Sequence, residues 1–149
     1  MVVQAATATF ESIQIGDELP VVTKPETQET INEYWRLAQD RRKGWTSLHT
    51  NEEYAKAGIF AGTVNMGVVT VAYFAELLQK ALPARALYSP HARVEMRATE
   101  PIRAGDTVTL TGKVTGKRVE GGARLVECEL TAVNQLGQTV GVARATLVL

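Results

Sequence analysis

The stretch from Val64 to Leu82 constrains this chain more than any other part of it. It is apolar on nearly every face as far as Ala75, and charged or long polar side chains enter only at Glu76, Gln79 and Lys80. A helix that is apolar all round has to be buried on all sides. At 1.5 Å per residue it would extend about 28 Å, enough to cross a small domain. Gly67, Ala72 and Ala75 would let a sheet approach it closely. The apolar run falls well short of the roughly twenty residues that a membrane span needs. The expectation is a core helix in a protein without a membrane partner.

The material to wrap such a helix follows it. After Pro83 and Pro90, apolar and polar residues alternate through Ala92-Val94-Met96 and then through Val108-Leu110-Gly112-Val114 behind the Gly105-Asp106 turn. Alternation resumes at Val126-Cys128-Leu130-Ala132 after Glu120-Gly121-Gly122, and at Thr139 to Val148 after Asn134-Gln135-Leu136-Gly137. A period of two bounded by Gly-rich turns predicts four antiparallel strands. Strands late and one buried helix earlier make an α+β domain, a five- or six-stranded sheet curled around the helix from about Met66 to Leu82.

Earlier in the chain, Phe10 to Val22 alternates around Gly16-Asp17 and predicts two short extended pieces. Thr27 is placed to cap a helix with Ile31, Tyr34, Trp35 and Ala38 on one face, fading near Asp40. Trp45 to Thr50 reads as an exposed loop, and Asn51 as the N-cap of a short helix from Glu52 to Ala57.

Composition narrows the partners. The 149 residues carry 16 Lys and Arg against 16 Asp and Glu, a formal charge of zero. Nucleic-acid binding draws on a basic surplus, and the largest basic cluster is Arg41-Arg42-Lys43, so no nucleic-acid partner is expected. The one cysteine, Cys128, excludes an internal disulfide and a Cys-rich zinc site, and its place among alternating apolar residues makes it core. His91 stands at the entrance of a strand and reads as a surface residue; with His49 the only other histidine, no metal is expected. The start MVVQAATATF lacks the basic and apolar regions of a signal peptide. One domain over residues 1–149, soluble and cytoplasmic, is the expectation.

The local motifs resemble one family, the MaoC-like (R)-specific enoyl-CoA hydratases of the hot-dog fold. Phe10 to Asp17 resembles the family's opening F-E-D-x-x-x-G-D, and His49-Thr50-Asn51-Glu52-Glu53-Tyr54-Ala55 resembles H-x-D-x-x-Y-A. Pro101 to Val108 resembles P-V-x-x-G-D-T-V, and Asn134 to Gly137 the N-Q-x-G turn. Order and spacing, more than any single match, carry the resemblance.

The family's active-site motif, D-x-N-P-I-H, is altered here. His49 matches its His, with Leu48 for Ile and Ser47 for Pro. Counting back without a gap puts Gly44 at the Asp position. Counting forward from Ile31 puts Asp40 there instead, with Arg41-Arg42-Lys43-Gly44 inserted before His49; the second alignment ends the helix where the family does. At the start of the buried helix the family's I-A-H-G-M becomes Val64-Asn65-Met66-Gly67-Val68. Met66 replaces a His, and Gly67 is kept.

The resemblance implies a hydro-lyase that adds water reversibly to a 2-enoyl-CoA or related acyl thioester. His49 with Asp40 would handle the water, and the Gly67 N–H at the helix start would hold the thioester oxygen. Asn65, Met66, Trp45, Arg41 and Arg42 would line the substrate site, the two arginines at the coenzyme A phosphates. It further implies a homodimer or dimer of dimers and no cofactor beyond the coenzyme A of the substrate. The altered motif equally suits a non-catalytic acyl-thioester-binding subunit paired with an active chain. A hot-dog thioesterase comes third, since no carboxylate lies between Val64 and Ala75.

Overall fold

The computed structural model describes residues 1–38 and 46–149. Its elements are β1 (Val22–Pro25), α1 (Gln28–Ala38), α2 (Glu52–Lys56), α3 (Gly67–Ala81), β2 (Arg93–Ala98), β3 (Thr107–Glu120), β4 (Ala123–Val133) and β5 (Thr139–Val148). The strands form one five-stranded antiparallel sheet in the order β1-β3-β4-β5-β2. The sheet curls around α3, the hot-dog architecture expected.

Each late strand follows from its alternation. Val126, Cys128, Leu130 and Ala132 of β4 point at the helix and are buried, and the residues between them are more exposed. Full burial of such side chains contributes about 1.5–3 kcal/mol each for the larger ones. The β3–β4 hairpin closes through Gly121 and Gly122, at φ 56° and 81°, a left-handed pair that glycine adopts without strain. The β4–β5 register passes from Val133↔Thr139 to Ala132↔Gly141, so Val140 is an extra residue there and turns into the core.

Helix α3 begins at Gly67, three residues later than the apolar run, and it is not buried on all sides. One face, with Tyr73, Phe74, Leu77 and Leu78, sits in the core. The opposite face is open: Val68 is 63% exposed and Val71 36%. A single sheet covers one side of a rod. The N-terminal segment adds Val3, Ala8 and Ile13 to the core, but among the described residues nothing covers the Val68–Val71 face.

The alternation of Phe10 to Val22 misled. Thr9 and Ser12 exchange hydrogen bonds between their hydroxyls and backbone N–H groups, 2.9 and 3.1 Å, and close a turn where a strand was expected. Beyond the turn, Glu18 makes isolated bridges only, and regular pairing starts at Val22. Thr27 caps α1 as predicted, accepting from the Thr30 N–H at 3.1 Å. Ile31 is buried and Tyr34 and Trp35 half-buried, while Ala38, expected on the same face, is exposed. Asn51 caps α2, accepting from the Tyr54 N–H at 2.9 Å. Cys128 is buried, which pushes its thiol up to about 12.

Candidate active site

The site is assembled where three non-adjacent pieces of chain meet: the start of α1, the turn before α2, and the start of α3. Residues 46–50 are not the exposed loop expected from their polarity. Ser47 is buried, and its carbonyl accepts from the N–H groups of Thr50 (3.3 Å) and Asn51 (2.9 Å). Its hydroxyl accepts from the His49 N–H at 3.0 Å. Gln28, in the first turn of α1, ties this turn to the segment that leads into α3: its amide nitrogen donates to the His49 carbonyl at 2.8 Å, and its amide oxygen accepts from the Thr63 hydroxyl at 2.7 Å.

His49 itself is half-buried, with its ring 5.2 Å from that of Trp35. Its Nδ1 lies 2.7 Å from the Val64 carbonyl oxygen. A carbonyl only accepts, so the contact places the proton of the neutral ring on Nδ1 and makes Nε2 the acceptor nitrogen. That is the state a general base requires.

His49 and Gly67 line one cavity of about 360 Å³. Leu48, Phe60, Val64 and Ile102 give it apolar walls, and Thr70 and Glu100 add polar groups. A larger depression of about 450 Å³ lies on the outer face of the sheet, among Glu95, Arg97, Glu129 and Arg144. Its carboxylates lie among arginines on the outer surface and no histidine lines it, whereas the helix-end cavity sets His49 beside a helix N-terminus.

At the head of α3 the Gly67 N–H is one of the four that a helix leaves without an internal partner, and it sits at the positive end of the helix dipole. A Cβ built on Gly67 would meet nothing within 4 Å. No strand passes close by, so packing among the described residues does not explain this glycine. Met66, expected at the substrate, instead packs in the core and is absent from the cavity wall. Asn65 borders the cavity, but its amide is committed inward: Oδ1 accepts from the Met66 N–H at 2.8 Å, and Nδ2 donates to Glu26 at 3.0 Å.

Glu26 is the functional candidate that the sequence concealed. Its side chain is buried and accepts from the Thr30 hydroxyl at 3.1 Å, from the Tyr73 hydroxyl and from Asn65. Burial pushes its carboxyl above the usual range, against the pull of the Tyr73, Thr30 and Asn65 hydrogen bonds, and the Asp106 charge adds to the rise. Burial and Glu26 likewise push the Tyr73 hydroxyl up. A tyrosine inside so greasy a helix was the available signal, since a buried hydroxyl needs a partner. Nothing marked Glu26, which sits between a proline and a helix cap.

Asp40, Arg41, Arg42 and Trp45 lie outside the described residues. His91 is exposed, as expected. Glu76 pairs with Lys24 and Lys80 and is not in the cavity. Among the described residues no three His, Cys, Asp or Glu side chains gather to hold a metal, and no helix is long and apolar enough to cross a membrane.

The model of the MaoC-like domain matches residues 11–135. An (R)-specific enoyl-CoA hydratase of Rhodospirillum rubrum is 32% identical over 107 residues, 72% of this chain and 69% of the relative. Among solved structures, the R-hydratase PhaJ1 of Pseudomonas aeruginosa superposes with a TM-score of 0.74 at 19% identity, covering 97% of this chain and 86% of its own. A chain of the ChsH1-ChsH2 complex of Mycobacterium tuberculosis superposes at 0.71 and 19% identity, covering 91% and 98%. The chain belongs to the MaoC-like dehydratase family.

Proposed function

We propose that this member of the MaoC-like family adds water reversibly across the double bond of a 2-enoyl-CoA or a related acyl thioester. His49 Nε2 takes a proton from a water in the cavity while the water oxygen bonds to Cβ of the enoyl group. The π electrons move onto the thioester carbonyl oxygen, and the resulting enolate is held by the Gly67 N–H and the α3 dipole. The proton returns to Cα, completing the addition. One observation carries this reading: a histidine whose Nδ1 is tied to a carbonyl borders the same cavity as an open helix N-terminus. The hydratase relative supports the substrate class. Asp40 is the carboxylate that the resemblance would add beside the water.

Among the described residues the Val68–Val71 face is uncovered and β2 ends the sheet, which supports a homodimer that covers both. The likeness to a chain of a two-protein complex supports a second reading, a binding subunit that pairs with an active relative. Incubation with crotonyl-CoA separates the readings. Loss of the conjugated-thioester absorbance supports hydration, binding without turnover supports the subunit, and release of free thiol means a thioesterase.

A further inference from the structure

Both groups assigned to the chemistry are presented by one short segment, residues 64–67. Val64 supplies the carbonyl that sets the His49 tautomer, and Gly67 supplies the N–H. The backbone of that segment is fixed on one side by the Asn65 N–H, which donates to the Ile102 carbonyl at 2.7 Å. On the other side the His49 ring holds the Val64 carbonyl, and the Asn65 amide holds the Met66 N–H. An amide can be turned either way, and its partners decide. Glu26 offers Asn65 an acceptor, so Nδ2 faces Glu26 and Oδ1 must face the Met66 N–H.

Glu26 is itself braced from four directions. Its N–H donates to the Asp106 carbonyl at 2.8 Å, and its carbonyl accepts from the Gly105 N–H at 2.8 Å. Its carboxyl takes the hydroxyls of Thr30 on α1 and Tyr73 on α3. Lys24, two residues away, pairs with Glu76 instead. An apolar side chain would fill this space without the cost of burying a carboxyl. What it would not do is orient an amide.

We propose that Glu26 is a positioning residue: its buried carboxyl orients Asn65, and through it the segment that presents the His49 ring and the Gly67 N–H to substrate. Glu26 is not on the cavity wall and touches no reacting atom. This assignment rests on the hydratase reading, but its first readout does not. In ¹⁵N-labelled protein, Glu26→Leu lowers the fraction of His49 carrying its proton on Nδ1, while Glu26→Gln, which keeps an acceptor for Asn65, restores it.

Where turnover is measured, Glu26→Leu lowers kcat about 10- to 100-fold, the scale of a small misplacement of reacting groups. KM changes less than about threefold, and Glu26→Gln recovers most of kcat. Should Glu26→Leu fail to fold, Asn65→Ala carries the same expectations. A folded variant with a wild-type His49 spectrum and wild-type kcat overturns the assignment. If the wild-type protein shows no hydration, the nitrogen spectrum decides alone. A shifted tautomer then keeps the positioning role while the hydratase reading falls, and an unshifted one removes the role.

Discussion

The sheet formed by β2 to β5 and the described residues of the site are held together by different kinds of force. In the sheet every neighbour pair repeats one rule, inward apolar side chains over a regular hydrogen-bonded ladder, and the loss of one contact leaves many others. In the site, a few side-chain bonds between residues far apart in the chain do the joining. Gln28 reaches His49 and Thr63, His49 reaches Val64, and Glu26 reaches Asn65 and Tyr73. The sheet therefore resists change by redundancy. The site has little redundancy, and its precision depends on single atoms.

This contrast can be broken by substitution. His49→Ala gives the largest effect: kcat falls about 10²- to 10⁴-fold, the range of a lost general base, while thermal unfolding moves little because the ring is only half-buried. Rate and melting temperature measured on one preparation check it, and a parallel fall in both would place His49 in the scaffold instead.

Leu130→Ala is the converse. Leu130 is 1% exposed in the centre of β4, and its truncation costs about 2–5 kcal/mol in denaturant unfolding with kcat unchanged where the variant stays folded. A large loss of rate at intact stability would mean that the sheet is not a passive support.

A smaller effect sharpens the boundary between the two regions. Burial raises the Glu26 carboxyl, so the folded chain holds that proton more tightly than the unfolded one. Its contribution to stability is complete below the ordinary Glu value of about 4.3 and is lost as pH rises through the raised folded value. Glu26→Gln cannot lose a proton there. Across that window the variant gains stability relative to wild type, read from unfolding midpoints at successive pH values. A constant difference would mean that the carboxyl is already ionised throughout.

The same division explains what was legible in the sequence. The four late strands and the Gly121-Gly122 turn follow from periodicity and local turn chemistry; each strand covers its alternating stretch, apart from Ala92 just ahead of β2, and β3 and β4 run on beyond theirs to Glu120 and back to Ala123. Asn51 and Thr27 were readable as caps because a cap acts on its own next turn. His49 was marked by the motif it belongs to. Glu26, Gln28 and Thr63 were not, because each acts on a partner 21 to 39 residues away that no local pattern indicates. Met66 stood in a motif position whose family residue is a His, yet a long apolar side chain there turns into the core. The Phe10–Val22 alternation was real, but the Thr9–Ser12 hydroxyl exchange outweighed it.

The claim that joins these parts is that a backbone N–H at the head of α3 carries the charge that develops on the thioester. Gly67→Pro removes that donor and little else. Met66, at φ −70° and ψ 136°, already has the extended backbone that a following proline requires. A Cβ at 67 meets nothing within 4 Å among the described residues, and proline is tolerated in a first helical turn. The account predicts a folded variant whose kcat toward crotonyl-CoA falls about 10²- to 10³-fold. A Gly67→Pro protein that hydrates at the wild-type rate would contradict it.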